Sequence, residues 1–272
     1  EPDCESARRR DSEPMMPPAL NVQNATYRYP DGTCAIENVS FSVAPNEAVA
    51  LVGPSGAGKT TLMLCIVGFL QLEGGDIHVK DLKVGKKNLR QVRREVGMIF
   101  QNADDQLFMP TLYEDVAFGV LNRGMKQEDL DRTVRNALAD RGLSGLEEKF
   151  PGHLSGGQKR LASLAGVLVM EPGILLLDEP TSNLDPKSRR QLIQQLAHLE
   201  NARVLASHDL EMVLDLCTRV LVLNRGRLVA EGDPAHILAD TELMESCNLE
   251  VPHSLQPHRL DHHDTPRSRR EP

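Results

Sequence analysis

The sequence predicts an α/β domain built round a mostly parallel core sheet, with an antiparallel β unit before it and a helical lobe set into it. Three observations carry this expectation. Short apolar runs recur at Ala48–Val52, Val96–Phe100, Ile174–Leu177 and Val204–Ser207, and runs of that length and composition suit strands buried on both faces. Helix-period patterns lie between them, notably Glu128–Leu138 and Gly156–Met170, and such alternation builds parallel sheets with crossover helices. Val39–Val43 instead alternates apolar with polar residues, as an antiparallel strand with one wet face does.

Taken in order, residues 1–18 mix charge with proline and include Arg8–Arg10 but hold no apolar core. They read as a disordered leader rather than a signal peptide, with Met15 or Met16 as an alternative start. One domain is expected over residues 19–240, ordered from near Leu20, and its insert from about 102 to 172 has helical periodicity. Val220–Asn224 and Arg227–Ala230 flank Arg225-Gly226, which reads as a hairpin. Residues 241–272 end in a polar, proline-rich stretch with several histidines and are expected as a disordered tail. No internal repeat is visible.

Composition narrows the function. Apolar residues make up 40% and charged residues 26%, Trp is absent and aromatics are 3%, so the core must rest on Leu, Val, Ile and Ala. A net charge of −8 argues against a nucleic-acid partner held through phosphates. No run approaches the roughly 18–20 apolar residues that span a bilayer, so a partner must supply any membrane part. Cys4, Cys34, Cys65, Cys217 and Cys247 lie far apart, which is neither a disulfide framework nor a zinc motif and suits a reducing compartment.

Chemistry begins at Gly53-Pro54-Ser55-Gly56-Ala57-Gly58-Lys59-Thr60, directly after a predicted strand and followed by Thr61. Glycines let the backbone curl so that successive N–H groups face phosphate oxygens, and the helix that follows adds its positive end. Lys59 can then reach the β- and γ-phosphates while the Thr60 hydroxyl ligates Mg²⁺. Gly173–Leu177 leads into Asp178-Glu179, which places Asp178 where it can hold Mg²⁺ through water. Glu179 is then placed to orient or deprotonate an attacking water. Leu154-Ser155-Gly156-Gly157-Gln158 opens a further helix. Ser155 is a good N-cap, and the two glycines expose N–H groups at a positive helix end, a second anion-binding surface. One nucleotide does not need two such surfaces from one chain, so this one is expected to meet the γ-phosphate held by another subunit.

With these motifs in hand the sequence resembles an ATP-binding-cassette ATPase of the P-loop NTPase fold, from about Leu20 to Gly232. That family's motifs run in order here as Gly53–Thr60, Gln101, Leu154–Gln158, Asp178-Glu179, Ser182-Asn183-Leu184-Asp185 and His208. The resemblance implies that two cassettes pair head to tail round two ATP molecules. Ser155, Gly156, Gly157, Gln158 and Asp185 of one would then complete the nucleotide site of the other. It implies that Gln101 senses Mg²⁺ and the water, that His208 faces the γ-phosphate, and that an aromatic stacks on adenine. For that aromatic Tyr29 is expected, with Tyr27 in reserve. The stretches Phe100–Phe108 and Tyr113–Gly119 resemble the ATPases of energy-coupling-factor importers, with Ala103 where Pro is usual. That implies a transmembrane coupling subunit, a substrate-binding membrane subunit and a place on the cytoplasmic membrane face. Val251-Pro252-His253-Ser254-Leu255 resembles the cobalt- or nickel-type branch rather than the vitamin type. The tail histidines His253, His258, His262 and His263 have no chelating spacing, so no metal site is assigned to them. A homodimer is expected, since the chain keeps both Glu179 and the whole Leu154–Gln158 motif.

Overall fold

A computed structural model describes residues 17–256, so residues 1–16 of the leader expected over 1–18, with Met15 and Met16, and the histidines beyond 256 lie outside the described residues. Two sheets form. The first is antiparallel, from β1 (Leu20–Arg28), β2 (Cys34–Val43), β4 (Gly74–Val79) and the short β5 (Leu82–Lys83), in the order β2-β1-β4-β5. The second contains β3 (Ala48–Val52), β6 (Val96–Ile99), β7 (Ile174–Asp178), β8 (Ala202–Ala206), β9 (Arg219–Asn224) and β10 (Arg227–Gly232), in the order β10-β9-β3-β8-β7-β6. Its strands pair in parallel except at the edge, where β10 returns antiparallel on β9 through Arg225-Gly226. Every residue of β3, β6, β7 and β8 is buried, because helices cover one face of this sheet and the antiparallel unit covers the other.

On one face, α1 (Lys59–Ile66) and α2 (Leu89–Glu95) share a core with the antiparallel sheet, built on Leu20, Ile36, Leu62, Met63 and Ile77. On the other lie α3 (Leu112–Asn122), α4 (Gln127–Asp140), α5 (Gly156–Leu168), α6 (Pro186–Ala197) and α7 (Leu210–Leu216), packed through Val116, Val134, Leu138, Leu164 and Leu196. Arginines stitch the sheets together: Arg219 donates to Glu47 at 2.7 and 3.0 Å and to the Ser42 carbonyl, and Arg227 pairs with Glu37 at 2.6 Å. Among the described residues no helix is long and apolar enough to cross a membrane.

The register positions the site. Leu51 of β3 and Asp178 of β7 both pair with Ala206 of β8, and Ile99 of β6 pairs with Leu177. The carboxyl ends of four strands therefore lie side by side, and the loops after them carry Gly53, Gln101, Glu179 and His208. In parallel α/β sheets this edge is where ligands bind.

The folded region does not stop at 240, as the sequence suggested, but continues through 256. Asp240 caps α9 (Thr241–Ser246) by accepting the Leu243 N–H at 3.0 Å, and a 3₁₀ turn follows over His253–Leu255. Met244 and Cys247 are buried, and Leu249, Val251 and Leu255 pack against the helical-face core. Polar residues between these contacts face solvent, which dilutes the apolar signal to the point of reading as disorder. The Ser254 N–H also donates to Glu211 of α7 at 3.1 Å.

Candidate active site

The loop from Gly53 to Thr60 owes its shape to glycine at Gly58, where φ is +105°. A Cβ there would run into the Ala35 carbonyl and come within 2.9 Å of the Ile36 side chain. The loop is backed by the β9–β10 turn, whose Gly226 N–H donates to the Ala57 carbonyl at 3.0 Å. Lys59 opens α1 and is nearly buried. Its amine donates to the Gly53 and Pro54 carbonyls at 2.7 and 3.1 Å and stands 3.4 Å from His208 Nε2. Burial pushes the Lys59 amine below its ordinary pKa, against the pull of Glu179 and Asp178.

Thr60 and Asp178 meet although 118 residues separate them: the Thr60 hydroxyl donates to Asp178 Oδ2 at 2.7 Å. Asp178 ends β7 and is 3% exposed. Burial raises its pKa, countered by the Thr60 hydrogen bond and the charges of Lys59, Arg160 and His208. Glu179 adopts φ +46°, a left-handed conformation that costs a non-glycine residue about 1–2 kcal/mol. This turn swings its carboxylate toward His208, whose backbone N–H donates to Oε2 at 3.1 Å. Its Oε1 lies 3.4 Å from His208 Nε2 and has no hydrogen-bond partner of ordinary length. Burial raises the Glu179 pKa too, countered by the His208 N–H, His208 itself and Lys59.

These groups line one cleft of about 720 Å³ with the loop residues Ser55–Thr61, Gln101 and Tyr29. Tyr29 is 37% exposed, and its hydroxyl hydrogen-bonds the Thr61 hydroxyl at 2.9 Å. Tyr27 packs edge-on beneath Tyr29 with ring centroids 5.1 Å apart and lies in the core. Of the two tyrosines, Tyr29 is therefore the one on the cleft. Gly53 and Pro54 do not line it; they contribute the carbonyls that hold Lys59.

Ser155, Gly156, Gly157, Gln158 and Asp185 are absent from the cleft lining. Ser155 caps α5 with Gln158 in a reciprocal capping box, at 3.3 Å from Gln158 N and 3.0 Å from Ser155 N to Gln158 Oε1. Asp185 caps α6, accepting from Lys187 N and Ser188 N at 3.0 and 3.1 Å. The two caps are neighbours, because a Cβ on Gly157 would collide with Ser188. Within one chain this N–H-rich end does not line the chain's own nucleotide cleft.

Sequence reasoning missed several residues round the cleft. Arg160, 3% exposed, donates to the carbonyls of Phe100 and Gln101, which fixes the Gln101 backbone to α5. Lys159 pairs with Asp104 at 2.6 Å beside it. Asp209 and Thr181 also line the cleft. Only Asp209 had a local signal, as a cap residue before an apolar helical run. Beyond Gln101, the Gln106 side chain takes the Phe100 N–H at 3.4 Å and donates to the Met98 carbonyl at 3.2 Å. Asp115 accepts from Phe108 N and Met109 N at 3.0 Å each, and the exposed rings of Phe108 and Phe118 meet edge to face at 5.2 Å.

A glycine-rich loop with a buried lysine, a hydroxyl bonded to a strand-end carboxylate, and a second carboxylate next to it is an arrangement for phosphate-anhydride chemistry. The comparisons agree. Residues 36–182 match the family model described as ABC transporter. The chain is 46% identical over 237 residues to a putative ABC transporter ATP-binding protein of Geobacter sulfurreducens, covering 87% of this chain and 95% of that one. The chain belongs to the ABC transporter ATP-binding family. It is also 41% identical over 238 residues to the energy-coupling factor transporter ATP-binding protein of Methanothermobacter thermautotrophicus, covering 86% of this chain and 76% of the relative. A solved structure of cbiO1 from Clostridium perfringens, described as part of the ABC transporter complex cbiONQ, superposes with TM-score 0.76 at 33% identity, covering 88% and 98% of the two chains. The ATP-binding cassette MJ0796, solved as a dimer in a post-hydrolysis state with ADP and Pi, superposes with TM-score 0.72 at 26% identity, covering 79% and 98%. This cassette is thus an ATP-binding, ATP-hydrolysing subunit of the energy-coupling-factor type.

Mg²⁺ accompanies ATP in this chemistry, and the residues fit it. Thr60 and Asp178 present hard oxygen donors in mutual contact, with the Gln101 side chain on the same cleft. They are too few for an all-protein cage, as suits an ion that shares its shell with phosphates and water. Among the described residues no group of three or more His, Cys, Asp or Glu could hold a metal ion alone.

The raised carboxylates carry a stability consequence. A folded-state pKa above the ordinary value means that the folded chain binds the proton more tightly than the unfolded chain. The cost of charging Glu179 is then absent below the ordinary carboxylate range and grows as pH rises through the window up to the raised value. Nucleotide-free Glu179→Gln should therefore melt above the wild type at pH 7 and level with it at pH 4. Equal melting temperatures at both pH values would refute the burial cost.

Proposed function

We propose that this chain hydrolyses Mg-ATP as a homodimer to drive an energy-coupling-factor importer of cobalt or nickel. It would sit on the cytoplasmic membrane face beneath a transmembrane coupling subunit and a substrate-binding membrane subunit. The observation that carries the reading is the convergence of Lys59, Asp178, Glu179 and His208 on one cleft at the sheet edge, with the Ser155–Gln158 helix end off that cleft's lining. Two copies placed head to tail would bring each such end to the other's γ-phosphate.

Within the site, the loop N–H groups and Lys59 bind the β- and γ-phosphates, Thr61 lies under the α-phosphate side, and Tyr29 stacks on adenine. Thr60, Asp178 and Gln101 would hold Mg²⁺, which when bound neutralises phosphate charge. Glu179 holds the attacking water and takes its proton as oxygen bonds to the γ-phosphorus and ADP leaves. His208 braces the γ-phosphate. Ser155, Gly156, Gly157 and Gln158 of the second copy, with its Asp185, close the other side. Hydrolysis removes the contacts that hold the copies together, and the free-energy difference between closed and open pairs moves the membrane partner. The exposed Phe108–Phe118 pair beside the Gln106-braced loop offers an apolar seat for that partner.

The preference for cobalt or nickel rests on the resemblance at Val251–Leu255. In this fold Val251 and Leu255 of that stretch pack against the helical-face core, and the Ser254 N–H donates to Glu211 of α7. Accumulation of trace cobalt and nickel should be measured in cells carrying the native membrane partners with either the wild type or Glu179→Gln. Uptake is expected with the wild type and not with the variant. Equal uptake in both would discard the metal assignment and direct attention to vitamins.

A further inference from the structure

Thr181, Arg189 and Asp209 form a cluster to which no role has yet been given. Asp209 directly follows His208, Thr181 comes shortly after Glu179, and Arg189 lies in α6, which Asp185 caps. The Asp209 carboxylate gathers the other two. Its Oδ2 accepts from Arg189 Nε at 2.6 Å and from the Thr181 hydroxyl at 3.1 Å. Its Oδ1 accepts from Arg189 at 2.8 Å and from Met212 N at 3.1 Å. Two parallel guanidinium bonds give this pair orientation as well as attraction, which a single contact does not. Thr181 is buried and the Arg189 and Asp209 side chains are 34% and 20% exposed, so water competes weakly for the bonds. Burial alone would raise the Asp209 pKa, but the Arg189 hydrogen bond and the Met212 N–H hold it below the ordinary value. Glu211 and Asp215 of α7 add to the negative field round Arg189.

We propose that Arg189 and Asp209 are a positioning pair that fixes the Glu179 carboxylate relative to His208 and ties that setting to the helix beginning after Asp185. The need for such a brace is visible in the backbone. Glu179 stands at φ +46° and Asn183 at +60°, and a turn holding two non-glycine residues there persists only if its surroundings over-determine it. Ser182 does part of this by donating its N–H and hydroxyl to the Glu179 carbonyl at 3.1 and 2.9 Å. The Thr181–Asp209 bond adds to this from the His208 side, where the His208 N–H also holds Glu179 Oε2. Neither Arg189 nor Asp209 is required to touch ATP; they act through Glu179 and His208, so the inference rests on the roles proposed for those two.

The test is steady-state hydrolysis and equilibrium ATP binding by the full chain, with Arg189→Ala, Arg189→Lys, Asp209→Asn and Glu179→Gln side by side. Arg189→Ala should lower kcat about 10- to 100-fold while the ATP dissociation constant stays within about threefold, since displacement of a catalytic group costs rate before it costs binding. Arg189→Lys should fall between it and the wild type, because an ammonium keeps the charge and loses the paired geometry. Arg189→Ala combined with Asp209→Asn should be no slower than the slower single variant. The proposal is overturned if Arg189→Ala keeps kcat within about twofold of the wild type, or if kcat and ATP affinity fall in equal proportion. Should Arg189→Ala not fold, Arg189→Lys decides by the same measure. Full turnover by Glu179→Gln would instead sink the underlying roles, so the two failures are distinguishable.

Discussion

Glu179→Gln is expected to bind ATP as the wild type does and to lose steady-state hydrolysis by about 10²–10⁴-fold, the range of a general base. The substitution changes little in shape. The Gln carbonyl can still accept the His208 N–H that Glu179 Oε2 accepts at 3.1 Å, so the turn after β7 should hold. What disappears is a buried carboxylate with one unpartnered oxygen and a pKa raised by burial, which is a group prepared to take a proton from water. Radioactive-phosphate release and equilibrium nucleotide binding, measured on the same preparation, check both halves. Turnover at the wild-type rate would remove Glu179 from the chemistry, and loss of ATP binding would recast it as a binding residue.

Lys59→Ala is expected to fail earlier, at binding. The amine now satisfies itself on the Gly53 and Pro54 carbonyls and stands close to His208, so arriving phosphates exchange neutral partners for anionic ones. Charge-assisted hydrogen bonds contribute about 1.5–3 kcal/mol each. Losing one or two of them should raise the ATP dissociation constant by about 10- to 10⁴-fold at 1.4 kcal/mol per factor of ten. The free chain should keep its melting temperature, since burial already opposes the charged amine and the carbonyls it contacts can turn to solvent in the open cleft. Titration of a fluorescent ATP analogue decides the point, and an affinity within about threefold of the wild type would contradict the assigned role.

How much of this was readable beforehand depends on where the interacting groups lie along the chain. The phosphate loop, the Asp178-Glu179 end of β7 and the His208 corner are each continuous strings of residues. Backbone geometry alone carries them to one sheet edge, so the fold and the cleft were legible. β1 was poorly visible because its pairing with β2 and β4 shifts register on either side of Asn24, at φ +48°. That bulge breaks the alternation a strand is recognised by. The Arg160 clamp on Phe100 and Gln101 and the Arg189–Asp209 pair join residues 60, 59 and 20 positions apart, and no periodicity encodes contacts of that kind. The stretch from 241 to 256 was misread because six apolar anchors spread over sixteen residues resemble a polar tail until α7 and α8 (Pro234–Ala239) are there to receive them.

The contact between Gly157 and Ser188 has a consequence for how this molecule can vary through mutation. Ser188 Oγ sits where any side chain at position 157 would begin, and the same hydroxyl donates to Asp185 at 2.5 Å. A single-base change that enlarges Gly157 would therefore disturb the start of α6 as well as the start of α5. A smaller residue at 188 that makes room also gives up the hydroxyl bond to Asp185, leaving the cap to the Lys187 and Ser188 N–H groups. Two motifs separated by some thirty residues are thus bound into one heritable unit, and a lineage drifting away from either would pass through chains defective in both.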